Sequence, residues 1–101
     1  MDDATWTFDC DAGQLRVVLE GRLDTDNCGR LSEPLLEVLR QAQPPVVFDL
    51  AAVPFVASSF LRICLQAIQL HGSGSLHLQN LDPSIRKVFK IAGLDGPIQL
   101  D

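Results

Sequence analysis

Apolar and polar residues alternate in two stretches near the start of the chain. The first stretch runs from Thr5 to Cys10 and the second from Leu15 to Leu19. Alternation places every second side chain on the same face of an extended chain, so it predicts two half-buried β-strands. The turn-forming segment Asp11-Ala12-Gly13 lies between the strands. We therefore expect an antiparallel hairpin that ends at Gly21.

After the hairpin the apolar residues recur at the spacing of a helix. The residues that share this spacing are Leu31, Leu35, Leu36, Val38 and Leu39. Asp24, Thr25 and Asp26 are all residue types that can cap such a helix. Pro34 lies inside the span. We expect the helix either to begin near Ser32, with the proline in its first turn, or to be kinked at Pro34.

The middle of the chain combines one short strand with a second helix. Val46–Leu50 is a nearly continuous apolar run, which is typical of a central strand covered on both faces. A loop over residues 51–57 leads to the pair Ser58-Ser59 and then to apolar residues at helical spacing up to His71. Gly72, which follows directly, predicts the end of this helix.

The last third of the chain predicts a strand, a helix and a short edge strand. Leu76–Gln79 alternates, Asp82 is a helix cap, and Pro83 occupies the first helical position. Gly93 closes the helix, and residues 97–100 can add the last strand. The element order is therefore β-β-α-β-α-β-α-β. It predicts an α/β fold with a mixed sheet of four to five strands and about three helices packed largely on one face.

Length and charge limit the classes of function. A chain of 101 residues has room for one domain, over residues 1–101. The net charge of −5 opposes binding to nucleic acid or to an anionic membrane. Apolar stretches such as 53–56 are far shorter than the roughly 20 residues of a membrane span, and the acidic residues 2–3 are unlike a signal peptide. We expect no membrane insertion and a cytoplasmic location.

The cysteines and histidines give little support for a metal site or for catalysis. Cys10, Cys28 and Cys64 are odd in number and widely spaced, so we expect reduced thiols, no metal and no cofactor. Cys64, His71 and Asp49 have the residue types of a nucleophile, a base and an orienting acid. Their spacing does not support that arrangement, and we expect that the protein is not an enzyme.

Four local patterns, in the right order, carry a resemblance to a known family. Leu19–Asp24 is similar to the family pattern L-x-G-x-L-D, and 47–56 is similar to V-x-D-L-s-x-v-x-f-i. Ser58-Ser59 stands where the family has D-S-S-G, and 80–94 is similar to its closing helix. On these patterns the chain resembles the STAS family, named for sulfate transporters and anti-sigma factor antagonists, over nearly its whole length.

The resemblance implies a function in protein–protein signalling. In the family's anti-sigma factor antagonists the first serine of D-S-S-G accepts a phosphate, which maps onto Ser58, with Ser59 as the alternative. The implied cycle is partner switching: the domain binds an anti-sigma factor that is often a serine kinase, phosphorylation breaks the complex, and a serine phosphatase restores it. Ala57 and Phe60 replace the aspartate and the glycine of the motif.

The family positions of Asp24 and the serine pair, together with the residue types next to them, suggest a set of partner-binding residues. The set is Asp24, Thr25, Ser58, Ser59, Phe60 and Arg62. Each has an alternative: Asp24, Thr25 and the serines are ordinary helix-cap types, with Ser59 favoured as the cap of its helix, while Phe60 can fill the core and Arg62 can simply be solvated. The alternative function is a STAS scaffold or transporter-complex subunit that binds constitutively, as Ala57 and Phe60 favour. Partner identity and homodimer formation stay open.

Overall fold

The elements follow one another in the predicted order. The computed structural model describes residues 4–11 and 14–101, so the acidic start and the predicted turn residues Ala12 and Gly13 lie outside the described residues. The elements are β1 (Thr5–Asp11), β2 (Gln14–Glu20), α1 (Thr25–Gln41), β3 (Val46–Ala52), α2 (Ser58–His71), β4 (Leu76–Gln79), α3 (Pro83–Ile91) and β5 (Gln99–Leu100).

The five strands of the described residues form one mixed sheet in the order β1-β2-β3-β4-β5. β1 and β2 are antiparallel, with Trp6 opposite Leu19 and Phe8 opposite Val17. The other neighbours are parallel, and β3 lies in the centre of the sheet. The predicted hairpin and the predicted central place of β3 are therefore confirmed, whereas the expected cover on both faces of β3 is not, because the helices lie on one side of the sheet.

The core lies between one face of the sheet and the three helices. Every second residue of the inner strands is buried on this face: Leu15, Val17, Leu19, Val46, Phe48, Leu50, Leu76 and Leu78. α2 and α3 add Phe60 and Phe89, whose ring centroids are 6.4 Å apart, and the Phe60 ring is 6.2 Å from that of Phe48. Burial on one face of alternating strands confirms that the helices cover a single side.

α1 begins directly after Asp24, one of the three residues that the sequence offers as its cap. It runs for 17 residues from Thr25, and Pro34 lies inside it, so the predicted start near Ser32 is wrong. The Asp24 carboxylate caps the helix, and the early turns bury Cys28 on the same stripe as the later leucines. The proline removes one backbone donor, and the cap and this burial outweigh that loss. In the described residues no helix has both the length and the apolar character that a bilayer crossing requires.

A polar network holds the sheet together on the face away from the helices. Arg16 donates to Asp49 Oδ2 at 2.6 Å and to Gln79 Oε1 at 2.8 Å, which links β2, β3 and β4. Burial raises the pKa of the Asp49 carboxyl. Hydrogen bonds from Asn80 and from the Ala51 backbone N–H, together with the Arg16 guanidinium, outweigh burial and hold this pKa below its usual value.

Asp49→Asn tests this network, because it removes the charge and keeps the side-chain volume. We expect the variant to lower the free energy of unfolding by about 1.5–3 kcal/mol near pH 7, the range for hydrogen bonds to charged groups, as measured by urea titration. The folded pKa of Asp49 lies below the unfolded value of about 3.9, so the stabilisation is present above that value and is lost as pH falls through the folded pKa.

The difference in unfolding free energy between Asp49→Asn and wild type should therefore narrow below about pH 4. Asp95→Asn, at an exposed acid in the turn after α3, is the control and should leave stability unchanged. A difference that stays constant down to low pH would contradict the assigned role of the Asp49 charge.

Candidate docking site at the start of two helices

The segment before α1 and the segment before α2 are joined by backbone hydrogen bonds. Gly21 donates to the Ala52 carbonyl at 3.0 Å, Leu23 donates to that of Phe55 at 2.9 Å, and Ala57 donates back to Leu23 at 2.8 Å. These bonds extend the parallel pairing of β2 and β3 beyond the strand ends. As a result α1 and α2 begin side by side at one edge of the sheet.

Asp24 works as a helix cap at this edge. Its carboxylate accepts from the backbone N–H of Asn27 at 2.9 Å. The Asn27 side chain is buried, donates to the Arg22 carbonyl at 2.7 Å and accepts from Arg30. The cap alternative for Asp24 is thus confirmed, and its half-buried carboxylate still lies next to the start of α2.

Ser58 is the first residue of α2, and it is exposed. The cap position belongs to Ala57, which has no side-chain oxygen, so the predicted cap at Ser59 is wrong. Within the described residues no group accepts from the backbone N–H of Ser58 or Ser59. Unpaired N–H groups and the helix dipole give this position a positive electrostatic potential.

Ser59 lies in the contact between the two helices. It is half-buried, and its hydroxyl donates to Thr25 Oγ1 at 3.4 Å. The Cys28 thiol lies nearby: burial and the Asp24 charge raise its pKa, and a hydrogen bond with Ser59 partly offsets them. Cys28 is therefore a neutral thiol. Of the two serines, Ser58 has the hydroxyl that is open to solvent.

Phe60 is a core residue. Its side chain is only 1% exposed and lies between the rings of Phe48 and Phe89. Its assignment to the partner-binding set is corrected for this reason, since a fully buried ring has no surface to offer a partner. The bulky replacement of the family's glycine fixes the first turn of α2 to the sheet.

Arg62 and Ser58 share one face of α2. They are four residues apart, a spacing at which helical side chains are neighbours. Arg62 is exposed, and no described residue accepts a hydrogen bond from its guanidinium. Of the predicted residues, Thr25, Ser58 and Arg62 are therefore exposed, and Asp24 and Ser59 are half-buried.

Sequence reasoning did not find two further residues of this edge, Arg22 and Phe55. The Arg22 Cζ atom lies 4.4 Å from the centroid of the Phe55 ring, a cation–π contact. Arg22 is exposed, and Phe55 is 39% exposed. Their positions lie 33 residues apart in the chain, and only the pairing of the two segments brings them together.

The three residues nominated for catalysis lie in different parts of the fold and contact different groups. Cys64 is fully buried, and burial, followed by the nearby Cys28, raises its pKa far above the usual range. His71 Nε2 lies 2.7 Å from the Leu39 carbonyl, between the last turns of α2 and α1. Asp49 is bound by Arg16 on the opposite face of the sheet. Among the described residues no group of three or more His, Cys, Asp or Glu side chains is placed to hold a metal ion.

A family model described as "Mlab, STAS domain" matches residues 6–100. The chain belongs to the STAS domain family. A relative from Bordetella bronchiseptica, BtrV, whose name assigns it provisionally to the anti-sigma factor antagonists, is 34% identical over 89 residues. The match covers 86% of this chain and 77% of BtrV. The resemblance seen in the sequence is confirmed at the level of the family.

Several solved structures share the fold of this chain. An anti-sigma factor antagonist from Mycobacterium paratuberculosis has a TM-score of 0.85 and 24% identity, over 96% of this chain and 84% of that one. Phosphorylated Bacillus SpoIIAA has a TM-score of 0.69 and 19% identity, over 96% and 91%. A chain of the Acinetobacter MlaFEDB complex in its ATP-bound Vtrans1 conformation has a TM-score of 0.71 and 20% identity, over 85% and 93%. These likenesses confirm the predicted STAS-like fold.

Because Phe60 is buried, we predict that its replacement, including by the glycine of the family motif, lowers the stability of the fold. We expect Phe60→Ala to lower the free energy of unfolding by about 3–5 kcal/mol, because it opens a cavity between two other rings. Phe60→Gly, which restores the residue of the family motif, should cost about 1 kcal/mol more through helix propensity. Urea titration measures both variants. Leu65→Ala, at a partly exposed position on the same helix, should cost much less, and equal losses at both positions would contradict the core role.

Proposed function

We propose that this STAS domain is an anti-sigma factor antagonist that acts by partner switching. It binds an anti-sigma factor with serine kinase activity, phosphorylation at Ser58 breaks the complex, and a serine phosphatase restores it. Family membership and the relationship to BtrV support the antagonist class. The observation that carries the proposal is the exposed Ser58 hydroxyl at the first residue of α2, beside open backbone N–H groups.

The residues around Ser58 favour a phosphate at this position, although two of them depart from the family motif. A phosphoserine carries about −1.5 to −2 charges at neutral pH, and a helix start favours such charge. Ala57 replaces an aspartate, so no carboxylate of the preceding residue repels the phosphate. Arg62, four residues later, is a cation at the spacing that stabilises an opposite charge. Phosphorylation would therefore leave the fold intact.

The same charge would weaken docking. Thr25, Ser58 and Arg62 are exposed at one edge, so a partner that covers them would have to accommodate the phosphate volume and desolvate its charge. A loss of 1.4 kcal/mol already lowers affinity about tenfold. Disrupted docking, with no change of fold, is enough for a switch.

A second candidate function is a constitutive STAS subunit of a transporter complex. The family model carries the description Mlab, and one structural neighbour is a chain of the MlaFEDB complex. Ala57 and Phe60, which depart from D-S-S-G, also favour it. In this case Ser58 would only be an exposed helix-start residue, and its modification would not be needed for binding.

We further propose that the domain is not itself an enzyme and works in the cytoplasm, without a cofactor and without nucleic acid. The kinase and phosphatase chemistry would belong to its partners. The buried neutral thiols Cys28 and Cys64 and the net charge of −5 support this assignment.

Substitutions at Ser58 separate the two functions. We expect Ser58→Asp to lower affinity for the anti-sigma factor at least about tenfold, while Ser58→Ala binds like wild type, as measured by isothermal titration calorimetry. Ser73→Asp places the same charge on an exposed serine beyond the other end of α2 and should bind like wild type. Equal affinities for Ser58→Asp and Ser58→Ala would favour the constitutive subunit.

Incubation with the kinase and ATP tests the modification directly. We expect intact-mass analysis to find one phosphate, and peptide sequencing to place it on Ser58. Ser58→Ala should remain unmodified. Modification of Ser59 in place of Ser58 would contradict the assignment, and a wild-type protein that stays unmodified would contradict partner switching itself.

A further inference from the structure

Arg22 and Phe55 form an exposed pair next to the proposed docking site. We infer that this pair is the specificity-determining contact of the docking surface, and that it receives an acidic side chain beside an apolar one on the partner protein. The inference rests on the proposed function, since the partner is the anti-sigma factor. It extends that function by naming what the partner must present.

The backbone around the pair is held in place. The N–H groups of Gly21 and Leu23, on either side of Arg22, donate to the segment that carries Phe55. The Arg22 carbonyl accepts from the buried Asn27 side chain at 2.7 Å. Side chains on a fixed backbone lose less conformational freedom on binding, so more of the contact energy remains as affinity.

The chemistry of the pair is incomplete within the chain. The Phe55 ring lies against the Arg22 guanidinium at 4.4 Å, yet no described residue accepts a hydrogen bond from the N–H groups of that guanidinium. A carboxylate can accept two of these bonds side by side. The exposed part of the Phe55 ring offers apolar surface next to the same spot.

Position distinguishes Phe55 from the other exposed apolar residues. The others lie in β1, α2 and α3: Phe8, Leu65, Leu70, Val88 and Ile91. Phe55 alone in this set lies on the segment that leads into α2, three residues before Ser58. Arginine and aromatic residues are enriched among the residues that dominate binding energy. A partner that covers Ser58 would therefore meet Arg22 and Phe55 in the same contact.

The position of the Arg22–Phe55 pair also connects recognition of the partner to phosphorylation of Ser58. A phosphate on Ser58 would add negative charge close to the position at which the partner's carboxylate meets Arg22. Like charges repel, and they do so more strongly once water is excluded. An acidic contact on the partner would thus be sensitive to modification of Ser58, whereas a purely apolar contact would not.

The test is a double-mutant cycle with the anti-sigma factor that is recovered with wild-type domain. We expect Arg22→Ala and Phe55→Ala each to lower affinity about tenfold or more in calorimetry, and the double variant to lose less than the product of the two factors. Arg22→Lys should rescue only part of the loss, because lysine lacks the two-pronged geometry. Arg40→Ala removes an exposed arginine that pairs with Glu37 and should bind like wild type.

Circular dichroism and melting of each variant check the fold, which should be intact because both side chains are exposed. Wild-type affinity for Arg22→Ala and Phe55→Ala would overturn the inference while leaving phosphorylation of Ser58 untouched. A change of affinity in Arg22→Ala that appears only when Ser58 is phosphorylated would also overturn the inference, because Arg22 would then contact the phosphate and not the partner. If the wild-type domain neither binds an anti-sigma factor nor becomes phosphorylated, the proposed function and the inference fail together.

Discussion

The hydrogen bonds between residues 21–23 and residues 52–57 are the constraint on which the site depends. They continue the parallel pairing of β2 and β3 past the ends of the strands, with Leu23 bridged to Val56. Both of these side chains are buried, so the two segments are fixed by the core as well as by the backbone. This pairing sets the positions of the start of α1, the start of α2 and the Arg22–Phe55 contact.

The sheet supplies the rigidity that the pairing needs. β3 lies in the centre, buried by helices on one face and tied on the other by the contacts of Asp49 with Arg16 and Asn80. Consecutive parallel strands direct their carboxyl ends to one edge, so every loop that precedes a helix opens there. The fold thus gathers polar and charged side chains at that edge without any of them belonging to the core.

The sequence allowed the sheet and the last two helices to be predicted. Their apolar residues recur at regular spacing over short segments, and Pro, Gly and cap residues mark the ends of these segments. The sequence did not decide between Asp24 and Ser32 as the start of α1, because Pro34 suggested a boundary and the burial of Cys28, which supports the earlier start, is a tertiary contact. The contact of Arg22 with Phe55 was equally out of reach. It depends on a long-range pairing that leaves no periodic signal in either segment.

The burial of Phe60 has a consequence for how α2 would respond to a change at Ser58. Its ring, wedged between Phe48 and Phe89, secures the first turn of α2 to the sheet, whereas a glycine there would leave that turn without such an anchor. We expect a turn that is anchored by a buried ring to stay in place when the charge of a neighbouring surface residue changes. A change of charge at Ser58 would therefore act on the surface around this residue, and not through a movement of α2 away from the sheet.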